Sequence, residues 1–248
     1  MTNEEFNKQI GDLRSQKQKL LNETFWWVSI AKASLGKTLE DSEFKNKLKI
    51  KVPSRKSDKT ISRTREQIEE IIKRAQERDL YYSIFVYMIA QVEDFFNGFI
   101  YLILSKDIRR IKCTVSGIDL IRKYDIIDIV DATSKDEIID QIIKKNIATL
   151  FYASPQKQKE YFQSALGINL PEDYWDNWFE FKATRDIIVH NSGKINELYL
   201  LKANKLARGQ INQYITIDEN YFSNSIALMK SIIGKSETQA KKELKTKQ

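Results

Sequence analysis

Apolar residues recur every three or four positions along most of the chain, which predicts a protein built mainly from α-helices. The first such stretch covers residues 4–35, and Gly36 is its expected stop. Its repeating apolar positions are Phe6, Ile10, Leu13, Leu20, Leu21 and Phe25. A second long helical region is predicted over residues 62–105, and its half from Tyr81 onward is apolar enough to form part of the core.

Shorter periodic stretches predict further helices over residues 115–124, 136–151, 172–190 and 219–233. Ser134 followed by Glu137 predicts a capping box at the start of the second of these helices. Pro171 marks the entry to the third, because proline favours the first turn of a helix. Residues 213–218 alternate between polar and apolar and predict at most a short β element. We expect a mainly α, helical-bundle fold with an N-terminal helical extension.

The domain organisation predicted from these patterns is simple. Residues 1–61 form an N-terminal helix plus a basic linker, residues 62–235 a helical domain, and residues 236–248 a frayed basic tail. The single cysteine, Cys113, excludes an internal disulfide and suits a cytoplasmic protein. No secretory leader is apparent, and polar residues interrupt the most hydrophobic stretch, residues 80–104, so no membrane association is expected.

The net charge of +7 is concentrated in one segment. Residues 45–65 contain nine basic residues and one acid, and the rest of the chain is nearly neutral. Such a segment is expected either to contact RNA phosphates or to be a solvated loop that tolerates lysine. The candidate RNA-binding residues are Lys45, Lys47, Lys49, Lys51, Arg55, Lys56, Arg63 and Arg65.

His190 is the only histidine, and this limits the chemistry that the chain can carry out. A zinc site needs several His or Cys ligands, so no metal site is expected, and the glycine-rich signatures of nucleotide and dinucleotide binding are absent. An imidazole beside the guanidinium of Arg185 suits metal-free cleavage of RNA. In that reaction the 2′-hydroxyl is the nucleophile, and the protein moves protons and stabilises charge.

Residues 185–190, Arg-Asp-Ile-Ile-Val-His, resemble the motif of the HEPN family, an arginine followed after four to six positions by a histidine near a helix end. The following run from Asn191 and the upstream stretch 91–96, Gln-Val-Glu-Asp-Phe-Phe, extend the resemblance, which covers roughly residues 81–233. It is closest to the larger HEPN subfamilies of bacterial stress and phage-defence loci. The resemblance implies a HEPN-like helical bundle that acts as a homodimer.

The resemblance also implies roles for the two motif residues. Arg185 would hold the scissile phosphate, and His190 would act as the general base or the general acid. The two side chains are about 140° apart on an ideal helix, so a second subunit or a frayed helix end is needed to bring them to one phosphate. A two-fold dimer would supply both the acid and the base.

Four neighbouring residues are further candidates, each with an ordinary alternative. Asp186 either orients the imidazole of His190 or is an incidental polar residue. Glu93 either balances Arg185 or supports His190, unless it is an incidental acid on a half-exposed face. Asn191 and Gly193 are interpreted as a structural helix cap.

Two functions follow from these observations. The first is a metal-independent endoribonuclease that needs no cofactor, acting as a toxin or phage-defence effector. The second is a non-catalytic HEPN module that binds RNA or a protein partner, such as an antitoxin or a component of a defence complex.

Overall fold

The computed structural model describes residues 1–53, 55, 59–61, 63–121, 123, 126, 129 and 132–245. Within these residues the chain is mainly helical, which confirms the predicted fold class. The α-helices are α1 (Asn3–Glu40), α2 (Ser42–Lys47), α3 (Arg65–Arg74), α4 (Leu80–Lys106), α5 (Lys135–Tyr152), α6 (Pro155–Tyr161), α7 (Glu172–Asn191), α8 (Glu197–Ala203) and α9 (Glu219–Glu243). Strands β1 (Ile50–Val52) and β2 (Lys59–Ile61) pair antiparallel, with Lys51 opposite Thr60.

Helix α1 is part of the main bundle rather than an extension of it. Thr2 and Glu5 form a capping box at its start, and it packs along α4 and α9. Its buried apolar residues belong to the same hydrophobic core as those of α4. The helix also continues through Gly36, so the predicted stop was wrong. A glycine inside a helix costs about 1 kcal/mol, which the packing of so long a helix outweighs.

Helix α4 is the central element of the core. Eight of its residues are completely buried: Phe85, Met88, Ile89, Val92, Phe95, Phe99, Ile103 and Leu104. Helix α3 leads into it through one π-helical turn, Ala75–Asp79, so the predicted long helical region is confirmed but begins at Arg65. Thr64 caps this start by accepting a hydrogen bond from the backbone N–H of Gln67.

The helix predicted over residues 115–124 is not formed in its described part. Residues 115–121 form a turn at Gly117 and then run irregularly to Ile121. The side chain of Asn146 on α5 bonds both backbone groups of Ile121, which replaces the hydrogen bonds that a helix would make. Helix α5 itself has the predicted bounds to within one residue. Ser134 caps it, but the Glu137 carboxylate accepts from Thr133 instead of closing the capping box.

The C-terminal part confirms one prediction and corrects another. At most a short β element was expected at residues 213–218, and Tyr214 forms an isolated bridge with Lys194 there, while Ile215 and Ile217 are buried. Helix α9 continues to Glu243, well beyond residue 233. Ser236, Glu237 and Ala240 are buried in the bundle, so the predicted frayed tail is a packed helix up to that point.

Candidate active site

Helix α7 carries the motif and changes its environment along its length. Its first turn is exposed, whereas its middle, residues 180–184, is fully enclosed by the core. At about 100° per residue, the side chains of its last two turns divide into two faces. Ile187 stays in the core, whereas the opposite face reaches solvent and presents the side chains of Arg185, Asp186, Val189 and His190. The motif therefore lies where the helix reaches solvent again after its buried middle.

Arg185 is held in place by two carboxylates. Its Nη2 lies 3.3 Å from Oε1 of Glu93 on α4, and its Nη1 lies 3.3 Å from Oδ1 of Asp186. The same oxygen of Glu93 also forms a salt bridge with Lys182, whose Nζ is 2.9 Å away and whose side chain is largely buried. The structure therefore brings Glu93 and Arg185 together, as the first alternative for Glu93 predicted.

Asp186 does not orient His190 in this structure. Its carboxylate is engaged by Arg185 and by Lys202 of α8, whose Nζ is 3.0 Å from Oδ2. His190 lies in the last turn of α7, where its side chain is exposed to solvent. Within the described residues the imidazole makes no hydrogen bond to Asp186. Of the two alternatives for Asp186, this arrangement does not show the one in which it orients the imidazole, because two cations occupy its carboxylate.

A cavity of about 640 Å³ opens beside Arg185. It is bounded by α7, α8 and the turn between α5 and α6. Among its lining residues are Lys182, Arg185, Asp186 and Lys202, but not His190. The volume lies within the usual range for small-molecule sites. One chain therefore places its motif arginine in a charged cavity and its motif histidine outside it.

The end of α7 has the geometry of a helix cap. Ser192 and Gly193 both have positive φ, at 53° and 79°, and the N–H of Gly193 donates to the carbonyl of Ile187 at 2.9 Å. The Asn191 side chain donates to the carbonyl of Lys194. Asn191 and Gly193 thus both form hydrogen bonds within the helix cap, as predicted. Ser192, which was not predicted to take part, also adopts the left-handed conformation there.

The basic segment is more ordered than the predicted loop, and its members are not equivalent. Lys45 is only 1% exposed, and its Nζ lies 2.6 Å from Glu69 of α3. It is therefore a structural residue, which corrects its assignment to RNA binding. Arg65 also pairs with Glu69 but remains half exposed.

The other members of the segment are exposed where they are described. Lys47 pairs with Glu43 within α2, and the exposed residues include Lys49, Lys51, Arg55 and Arg63. Lys56 lies outside the described residues. These cations lie around the β1–β2 hairpin and remain candidates for a phosphate-contacting surface.

A buried ionic cluster on α7 was missed in the sequence. Glu180 is 2% exposed and accepts hydrogen bonds from the hydroxyls of Thr184 (2.6 Å), Tyr199 (3.1 Å) and Tyr221 (2.6 Å). Arg208 donates to the Glu180 carboxylate from Nε at 3.2 Å and from Nη2 at 3.1 Å, and its guanidinium stacks on the Tyr221 ring. Burial, and next the negative charge of Glu180, raise the pKa of both tyrosines.

This cluster ties α7 to α8, to α9 and to the connection between them. The sequence signal for this cluster was limited to Glu180 lying four residues before Thr184 inside an apolar helix. The other partners of Glu180 are 19 to 41 residues away from it in the chain. It lies on the buried face of α7, opposite the motif, and supports the helix that carries the motif.

Comparison with known proteins adds no relative: no family model, curated protein or solved structure matches this chain. None of the helices in the described ranges is long and apolar enough to cross a bilayer. In the same ranges, no three His, Cys, Asp or Glu side chains are grouped as they would be to hold a metal ion.

Proposed function

We propose that this protein is a metal-independent endoribonuclease whose active unit is a dimer built around the exposed end of α7. The observation that carries the proposal is that α7, after its fully buried middle (residues 180–184), reaches solvent in its last two turns. There it presents a positioned arginine and an accessible histidine beside a charged cavity.

The proposed reaction is attack of an RNA 2′-oxygen on the adjacent phosphorus, with loss of the 5′-oxygen and formation of a 2′,3′-cyclic phosphate. One His190 takes the proton of the 2′-hydroxyl, and a second His190 gives a proton to the departing oxygen. Arg185 stabilises the extra negative charge on the phosphate oxygens. The products keep all atoms of the substrate, so no co-reactant is needed.

The charges around Arg185 support phosphate binding. Lys182, Arg185 and Lys202 supply three positive charges, and Glu93 and Asp186 supply two negative charges. The cluster therefore retains one positive charge for an anionic ligand. Because both carboxylates contact Arg185, they also fix the direction of its guanidinium before a substrate arrives.

The exposed apolar residues around the motif support a second subunit. Val189 is half exposed and lies between Arg185 and His190 on the open face of α7, and Leu201, on the rim of the cavity, is 77% exposed. Large apolar side chains next to a charged cavity are typical of a surface that another chain covers. A two-fold axis near Val189 would bring the His190 of one protomer towards the Arg185 of its partner.

The first experiment measures cleavage of a fluorescent RNA in the presence of EDTA. The wild type should cleave it, and Arg185→Ala and His190→Ala should each lose at least a hundredfold in rate. Arg109→Ala is the matched control, because Arg109 is exposed and, like Arg185, pairs with a neighbouring aspartate. Intact RNA with the wild type, or equal rates for all four proteins, would reject the enzyme.

A mixing experiment tests whether the site is shared between protomers. A heterodimer of the wild type with His190→Ala keeps only one of the two histidines that the proposed reaction uses. Adding an equal amount of His190→Ala to the wild type should therefore lower the cleavage rate to about one half once subunits have exchanged, because about half of the dimers are then heterodimers. An unchanged rate in a mixture that sedimentation shows to contain dimers would place a complete site in each chain.

One observation favours a non-catalytic alternative, a module that binds RNA or a protein partner. The guanidinium of Arg185 is already engaged by two carboxylates, and Asp186 does not contact His190. The alternative predicts that the wild type binds RNA without cleaving it and that His190→Ala leaves binding unchanged. Replacing Lys49 and Lys51 by Gln should weaken binding at low salt under either function if the hairpin contacts phosphates.

We also propose that the chain is a toxin or phage-defence effector, since uncontrolled RNA cleavage stops growth. Induced expression in a bacterial host should arrest growth for the wild type and not for His190→Ala. Equal growth arrest by both proteins, expressed at equal levels, would show that the toxicity does not depend on His190 and would contradict this proposal.

A further inference from the structure

An exposed tyrosine in the connection between α8 and α9 pairs with the turn that follows α7 and lies between two cations. Tyr214 is 50% exposed, and the Arg78 guanidinium carbon and the Lys194 ammonium lie 5.2 Å and 5.5 Å from its ring centroid. Arg78 belongs to the π-helical turn before α4, and Lys194 follows His190 by four residues. Three separate parts of the chain therefore meet at one aromatic ring.

The backbone around this ring is well fixed. The N–H of Lys194 donates to the carbonyl of Asn191 at 3.0 Å, and the N–H of Ile215 donates to the carbonyl of Gly193 at 2.8 Å. Below them, the Tyr82 hydroxyl donates to the carbonyl of Ile215 at 2.5 Å. These bonds connect the segment that carries Tyr214 to the turn that follows the motif helix.

The two cations at this ring differ in how they are paired. Arg78 shares the carboxylate of Asp79 with Arg74, at 2.9 Å and 3.0 Å. Lys194 is exposed and makes no salt bridge with any described residue. Two cations thus flank a half-exposed ring, and the ammonium of Lys194 is available to a bound anion.

We propose that Tyr214 is a stacking platform for one base of single-stranded RNA, with Lys194 contacting an adjacent phosphate. An aromatic ring among cations is the combination by which proteins bind single-stranded nucleic acid without reading its sequence. Arg78, held by Asp79, supports the ring from the helix beneath. The inference rests on the proposed action on RNA and adds a subsite next to His190 that positions the strand.

The test measures binding of a 12-nucleotide, fully 2′-O-methylated RNA by fluorescence anisotropy, since this probe cannot be cleaved by 2′-oxygen attack. Tyr214→Leu should weaken binding about tenfold, whereas Tyr214→Phe should bind like the wild type. Tyr87→Leu is the matched control, because Tyr87 is also exposed, at 40%, and has no cation near its ring among the contacts described. Thermal melting of each variant checks that the fold is retained.

A second probe with the same backbone and abasic sites separates stacking from charge. On it, Tyr214→Leu should bind like the wild type, while Lys194→Gln should weaken binding to both probes and lower the salt dependence by about 0.7 in log–log slope. If Tyr214→Leu weakens binding to both probes equally, or to neither, the platform is refuted. If the wild type binds these probes but does not cleave an unmodified RNA, the nuclease proposal is rejected and the platform proposal is unaffected. The two proposals therefore fail separately.

Discussion

The buried Glu180 cluster offers the sharpest test of how this fold supports its motif. Replacing Glu180 by Ala removes the acceptor for three hydroxyls and for the guanidinium of Arg208. Tyr221 and Tyr199 would keep buried hydroxyls without their acceptor, and Arg208 would keep a positive charge beside an aromatic ring.

The size of the effect follows from these partners. Removing one member of a buried ion pair costs about 3–5 kcal/mol, and each buried donor left without a partner costs about 1–3 kcal/mol. Arg208 is 28% exposed, so water can hydrate part of its charge, and this favours the lower end of that range. We expect Glu180→Ala to lower the free energy of unfolding by about 4 kcal/mol. Glu180→Gln, which keeps one acceptor oxygen, should lower it by about 2 kcal/mol.

Urea unfolding followed by helical circular dichroism measures this loss. With a slope of about 3 kcal/mol per molar urea, the midpoint for Glu180→Ala should fall by more than 1 M. Glu43→Ala is the control, because Glu43 is 80% exposed and pairs with Lys47 within one helix, an arrangement that contributes at most about 0.5 kcal/mol. A loss below about 1 kcal/mol for Glu180→Ala would refute the view that this cluster holds the motif helix in place.

Two further predictions concern the pH dependence of stability and the turn after the motif. Hydrogen bonds from Lys45, and then from Arg65, lower the pKa of Glu69 from 4.5 to about 2. The stability that they provide is therefore complete above pH 4.5 and is lost as pH falls towards 2, so acid titration of unfolding should show this loss in the wild type and not in Glu69→Gln. Gly193→Ala should lower the melting temperature much more than Gly117→Ala. Both glycines have positive φ, but only at Gly193 would the added carbon overlap a buried tyrosine ring; equal shifts would show that backbone strain alone matters.

Local patterns correctly predicted the fold class and most of the helices. Ser134 and Pro171 marked helix starts within a residue, because capping depends on neighbours in sequence. The prediction failed where distant side chains decided the conformation. Asn146 replaces the local hydrogen bonds of Ile121, and buried contacts carry α9 past the predicted end of the helix at residue 233 to Glu243.

The candidate site divides in the same way. The sequence by itself determined which residues are candidates for the chemistry: one histidine, an arginine five positions before it, and a basic segment between residues 45 and 65. Tertiary structure alone decided their partners. It placed Glu93 on Arg185, turned Asp186 away from His190, and buried Lys45 against Glu69.

The physical reason is that residue type and helical spacing are local properties, whereas the partner of a charge depends on packing between distant helices. Burial makes an unpaired charge costly, so each charged group takes whichever opposite charge the packed helices bring near it. The exposed end of α7 is the clearest case. Its residues could be read from the sequence, but only the packing of α4 and α8 against α7 separates Arg185 in its cavity from His190 outside it.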